Sequence, residues 1–180
     1  MREPEGFVLA LVNTVDPVRP VPDLLVDAEG CRDFLKAWLD TAPEPDDAGA
    51  IRAVRDRVRA AALALAEGRS GREVAESLDT LVTRVAFRAS VRAGDDAPAV
   101  GMAPAPGTEP ADRLAAYAVL ALADVIEARG AGRLRQCESA PCEEVFVDAS
   151  KAGQQRFCSK RCATRFHVAR HRHRKAGGSG

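Results

Sequence analysis

Two pairs of cysteines near the C-terminus constrain this chain more than any other feature: they run Cys137-x4-Cys142-x15-Cys158-x3-Cys162. Tetrahedral zinc takes four thiolates at about 2.3 Å, and short spacings let each pair close on one ion without straining the backbone. Cys137 and Cys142 flank Glu138, Ser139, Ala140 and Pro141, a turn-forming stretch. Cys158 and Cys162 are one helical turn apart, which predicts that they share a helix face. Between the pairs, residues 143–148 (EEVFVD) and 154–157 (QQRF) read as short strands joined by residues 149–153. Knuckle, hairpin and helix together predict a treble-clef-like zinc module.

Other uses of these cysteines differ in what they require. Disulfides need an oxidising compartment, and the opening MREPEGFVLALVNTV lacks the charged start, apolar run and cleavage site of a secretory signal. No stretch approaches the roughly 18 apolar residues of a membrane helix. A reducing, cytoplasmic location is therefore expected, and it favours metal. A mixed ligand set, Cys137 and Cys142 with His167 and His171, would span a gap of 24 residues, about twice the usual finger spacer. Cys31 has no neighbouring cysteine or histidine in sequence and reads as a small core residue.

Four thiolates close the coordination shell, whereas a catalytic zinc keeps one position open, so a single structural ion is expected. The 44 residues from 132 to 175 hold only three of the chain's eight aromatics, Phe146, Phe157 and Phe166. That is too little apolar surface for a core, and metal in comparable small domains contributes on the order of 10 kcal/mol. Chelation is expected to unfold this module selectively.

A formal net charge of zero conceals two opposite halves. Residues 1–132 carry 15 basic and 22 acidic side chains, a net of −7, whereas residues 133–180 carry 11 and 4, a net of +7. A helix beginning near Ser159 would turn Cys162, Phe166 and Ala169 toward the metal. Lys160, Arg161, Arg165, Arg170, Arg172, Arg174 and Lys175 would then be available to a polyanion. Arginine's planar fork suits both phosphate and the guanine edge in the major groove. A solvated tail that only aids solubility is the plainer reading of such a run. Its attachment to a metal-fixed helix favours DNA. RNA is disfavoured because the aromatics occupy core-like positions instead of an exposed stacking platform.

The remainder reads as a helical domain. Cys31, Phe34, Leu35 and Trp38 form one apolar face, followed by a Pro-rich break at residues 42–45. Ile51, Val54, Val58, Ala61 and Leu65 form a second, ended by Gly68, and Val74, Leu78, Leu81 and Val85 a third. Leu114, Tyr117, Ala118, Ala121, Val125 and Ala128 form a fourth, ended by Gly130. Residues 86–91 and 97–102 flank Gly94, Asp95 and Asp96, which predicts a β-hairpin. Residues 102–110 read as a loop, 130–132 as a short hinge and 176–180 as a disordered tail. The fold class expected is α+β and predominantly helical: a helical domain with one hairpin over residues 1–130, then a small zinc finger over 131–175.

Catalytic motifs do not emerge. There is no Gly-rich phosphate loop, nucleophile elbow or paired-carboxylate motif, and all three histidines lie in the basic tail without an acidic neighbour. Asn13, Thr14 and Asp16 either line a polar ligand pocket or serve turns and helix caps.

These residues resemble the bacterial CGNR zinc-finger family. Phe146-Val147-Asp148, Phe157-Cys158-Ser159 and Cys162-Ala163-Thr164-Arg165 stand where that family has F-x-D, an aromatic before the third cysteine and the Cys-Gly-Asn-Arg signature. Ala163 and Thr164 replace its Gly and Asn. His171-Arg172-His173-Arg174 matches the basic ending, and Leu9-Ala10-Leu11-Val12-Asn13-Thr14 is similar to the family's opening L-D-[LF]-V-N-T. The resemblance implies a stress-induced transcription regulator; together with zinc on the four cysteines and the basic helix, the leading expectation is a regulator with DNA as partner, whose N-terminal domain senses a small-molecule effector or forms a homodimer. A zinc-stapled protein-interaction module without sequence-specific DNA binding is the competing expectation.

Overall fold

The computed structural model describes residues 4–39, 48–92 and 97–177. The expected break at 42–45, the turn at 94–96 and the last three residues of the tail lie outside them. The described chain contains six helices: α1 (Pro4–Val12), α2 (Ala28–Leu39), α3 (Ala48–Ala66), α4 (Gly71–Val82), α5 (Pro110–Arg129) and α6 (Lys160–Gly177). Its four strands are β1 (Phe87–Arg92), β2 (Ala99–Pro104), β3 (Leu134–Gln136) and β4 (Val145–Val147). The strands form two separate antiparallel pairs, β1 with β2 and β3 with β4.

Most of the predicted apolar stripes enter the core, but Ala128 is exposed and Val85 lies beyond the end of α4 at Val82. Ile51, Val58 and Ala62 of α3 meet Leu114, Ala118, Ala121 and Leu122 of α5, all buried. The alanines along α5 let neighbouring helices approach closely, and Pro110 starts that helix where its missing N–H costs nothing. Helix α1, which no polar–apolar period marks in the sequence, packs against both α3 and α5, with Phe7, Val8, Leu11 and Val12 buried. It is apolar on nearly every side, so it carries little of the one-sided pattern that marks a surface helix. Phe7 also meets Trp38 of α2, with ring centroids 5.9 Å apart. Gly30 admits α2 to this packing, since a Cβ there would sit 2.1 Å from the Leu24 carbonyl oxygen.

Three expectations change at the level of elements. Strand β2 runs two residues beyond its expected end, to Pro104, because its pairing with β1 continues to Phe87↔Pro104. Residues 130–132 are no loose hinge: Gly130, at φ 87°, ends α5, and Ala131–Arg133 form a 3-10 turn whose Ala131 packs on the core. Residues 154–157 form no strand. The partner of β4 is β3, in the register Leu134↔Val147, Arg135↔Phe146 and Gln136↔Val145. Leu134 and Val145 are 1% exposed and belong to the main helical core, so this small sheet is packed into the same apolar interior as α1, α3 and α5.

A four-thiol metal centre and the basic helix it holds

Strand pairing sets the first half of the centre. The Cys137 amide donates to the Glu144 carbonyl at 2.9 Å, and the Cys142 amide closes a turn onto the Ser139 carbonyl at 3.0 Å. Both thiols thereby face one point from the end of the β3–β4 pair. The second half comes from the entry to α6. Ser159 caps this helix: its hydroxyl accepts from the Cys162 amide at 3.3 Å and its carbonyl from the Ala163 amide at 3.1 Å. Cys158 therefore stands just before the helix and Cys162 in its first turn, not on a shared helix face as the spacing suggested.

All four sulfurs lie within 4.8 Å of one another, with Cys142 to Cys158 at 3.8 Å and Cys158 to Cys162 at 3.6 Å. A tetrahedral zinc with bonds of about 2.3 Å requires sulfurs about 3.8 Å apart, so the donor set fits one structural zinc ion. A disulfide would bring two sulfurs to about 2.05 Å, and none of the five cysteines is bridged. His167 is exposed and packs edge-on against Phe157 and Phe166, at 5.9 and 5.6 Å between centroids, outside the thiol group. Without metal, burial pushes the Cys142 thiol up to about 11 and raises Cys158 as well. Burial acts upward on Cys162 too, but hydrogen bonds with Ser159 and the neighbouring thiols outweigh it and lower that thiol. Metal entry must displace the thiol protons.

Around the thiols, side chains fix the loops. Asp148, the Asp of F-x-D, accepts from the Ser150 amide at 2.8 Å, the Ser150 hydroxyl at 2.6 Å and the Gln155 amide at 2.9 Å. Phe157 and Phe166 stack with centroids 5.0 Å apart, joining the Cys158 segment to α6. The Arg156 guanidinium lies about 5 Å from both rings, at 5.3 and 5.1 Å, and pairs with Glu138 through Nε at 2.8 Å.

Among the residues expected to contact nucleic acid, Arg165 is committed to the finger itself. Its guanidinium donates to the Ser139 hydroxyl at 3.1 Å, the Ser139 carbonyl at 2.7 Å and the Cys162 sulfur at 3.4 Å. Lys160, Arg161, Arg170, Arg172, Arg174 and Lys175 are exposed and, among the described residues, have no carboxylate partner. From His167 onward every described side chain of α6 is exposed, so the second half of the helix projects from the body.

Asn13 and Thr14, the candidate ligand residues, are both buried and hydrogen-bonded within the protein. The Asn13 amide group donates to the Val145 carbonyl at 2.7 Å and accepts from the Val145 amide at 2.8 Å. Thr14 donates to the Leu11 carbonyl and accepts from Arg55 at 3.0 Å. Arg55 also grips Asp23 at 2.9 and 3.1 Å. One turn on, Arg59 donates to the Val12 carbonyl at 2.7 Å and to the Glu143 carbonyl at 2.9 Å. Neither arginine figured among the sequence-derived site residues. Their visible signal is that positions 55 and 59 interrupt the apolar stripe of α3.

A helical core carrying a four-thiol module with a projecting basic helix defines a zinc-finger protein. Residues 133–175 match the CGNR zinc finger, and residues 5–129 match the family described as "Putative stress-induced transcription regulator", ABATE. The chain belongs to this family. No curated protein matches it closely.

Proposed function

We propose that this protein is a zinc-dependent, DNA-binding transcription regulator whose N-terminal helical domain, residues 1–130, senses a ligand and whose finger, residues 131–175, carries the DNA contacts. The observation behind this reading is the exposed half of α6. Arg170, Arg172, Arg174 and Lys175 stand on a helix anchored by Cys162 and Phe166, with Lys160 and Arg161 at its start and no acidic side chain along it. A rigid, cationic rod of this width enters a major groove, and each phosphate contact releases counterions. Arg165 works one step back, holding the Ser139 turn against the helix, so that the thiol centre sets the direction in which the cations point. The knuckle, β3–β4 pair and helix correspond to a treble-clef-like arrangement. Four reduced thiols imply work in a reducing cytoplasm, and the reading assigns the chain no reaction.

Selection of bound duplexes from a random pool, with zinc-loaded and chelated protein at two salt concentrations, tests it. Zinc-dependent enrichment of one sequence motif is expected. Binding that is zinc-dependent but enriches no motif, or no binding, would replace the regulator with a zinc-stapled module for an acidic protein partner.

A further inference from the structure

We propose that the cleft between the β1–β2 hairpin and the start of α5 binds a small organic anion, with its carboxylate or phosphate headgroup held by Arg88 and Arg113. This rests on the sensing half of the function proposed above and names the chemistry sensed. In the hairpin register Arg88 stands opposite Ala103 and Ser90 opposite Gly101. Cross-strand partners share a face of the sheet. Ala103 is 7% exposed, and β2 packs on α5, so this is the inward face; Val91, Val100 and Met102 on the other face are exposed. Arg88 and Ser90 thus border a cleft of about 430 Å³ whose opposite wall is Arg113 and Tyr117, one turn apart on α5. Residues 104–107 form its rim, with Gly107 at φ 79° turning the chain back toward α5.

Three features favour an anion there. No carboxylate lines the cleft among the described residues, although residues 1–132 carry a net charge of −7. Neither guanidinium has an ion-pair or hydrogen-bond partner among the described residues; Arg88 is exposed and Arg113 half-buried, so both are open to a ligand. Arg113 also lies in the first turns of a 20-residue helix, whose dipole adds positive potential at that end against the nearby Glu109 and Asp112, neither of which lines the cleft. The volume falls within the usual range for a small-molecule site. The exposed lining is mainly polar: the Ser90 and Tyr117 hydroxyls supply further donors, while Ala105, Pro106 and the Tyr117 ring add a small apolar edge.

The test titrates the zinc-loaded full chain, without DNA, with benzoate and with phenyl phosphate while following backbone amide signals by NMR. Saturable shifts at Gly107, Arg113 and Tyr117 are expected with at least one probe, and the preferred probe identifies the headgroup. Arg113→Gln should weaken that binding about tenfold or more, as loss of a charged hydrogen bond does. Tyr117→Phe, which keeps the ring, should weaken it less. Shifts confined to α6, no saturable shift, or unchanged affinity in folded Arg88→Gln and Arg113→Gln chains would overturn the proposal. Because the readout uses no DNA, its failure leaves the DNA-binding reading standing, and an unproductive DNA selection leaves the cleft's binding as measured.

Discussion

Asn13 and Val145 are 132 residues apart in sequence, and the side chain of one satisfies both backbone groups of the other, at 2.7 and 2.8 Å. Asn13 directly follows α1 of the helical core, and Val145 opens the strand that carries the metal knuckle. The Asn13 amide occupies the edge of β4 that β3 leaves unpaired, acting as one residue of a third strand. Arg59 reinforces the same seam from α3 by joining the Val12 carbonyl to the Glu143 carbonyl.

Replacing Asn13 by Ala strands a buried donor and a buried acceptor together. Each unsatisfied group costs about 1–3 kcal/mol, so a loss of about 2–6 kcal/mol is expected in chemical denaturation. Zinc should also leave the variant faster under a chelator, read by a colorimetric metal indicator. An unchanged release rate would mean that the seam does not reach the metal.

Removal of zinc, or Cys158→Ser, should lower the stability of the whole chain and not of the finger alone. Leu134 and Val145 lie in the same core as α3 and α5, so loosening the knuckle withdraws apolar surface from the helices. This revises the selective unfolding that the sequence suggested. Thermal unfolding followed by helical circular dichroism should shift to lower temperature as one transition; two separate transitions, with the helical one unmoved, would show that the seam carries no coupling.

Arg172 and Arg165 should behave oppositely. Arg172→Gln is expected to keep one zinc per chain and full thermal stability while weakening DNA binding, and to reduce the slope of log K against log salt by about 1. Arg165→Gln removes the bonds to Ser139 and the Cys162 sulfur, so its first effect should be on metal retention. Metal content and salt-dependent binding, measured on both variants, separate the two roles.

Asp148 sets an acid limit for the loop beyond β4. Hydrogen bonding by Ser150, then by the Gln155 amide, holds this carboxyl below its ordinary range even though burial acts the other way. A depressed folded pKa gives stability that is complete above the unfolded value of about 3.9 and is lost as pH falls through the folded one. Hydrogen exchange at the Ser150 and Gln155 amides should therefore accelerate below about pH 4, beyond the intrinsic rate. In Asp148→Asn the exchange should already be faster at neutral pH and lack that step.

Much of the fold was legible because its signals are local. The stripes through Ile51–Leu65 and Leu114–Val125, the hairpin and the four-cysteine spacing each depend on residues within a few turns of one another. Helix α1 escaped because its solvent-side positions, Gly6, Leu9 and Ala10, are not polar, so the buried face of Phe7, Val8, Leu11 and Val12 has no contrasting face to give it a period. Strand β3 escaped because three residues, Leu134–Gln136, are too few to alternate visibly, while residues 154–157 mimic a strand by composition. At the candidate site the thiols were legible, whereas the bonds of Arg165 to Ser139 and the Cys162 sulfur were not, since a cation among cations shows nothing of the turn it grips.

Sequence alone determined that four thiols would gather on one ion, that a cationic helix would follow them and that an acidic helical domain would precede them, because spacing, charge and periodicity act over short stretches of chain. Tertiary structure alone decided that the two parts share a core, that Asn13 completes a strand edge far along the chain, that Arg165 faces inward and that Arg88 and Arg113 border one cleft. Those facts depend on which distant backbone groups would otherwise be buried without partners, and that is settled only when the elements are packed together.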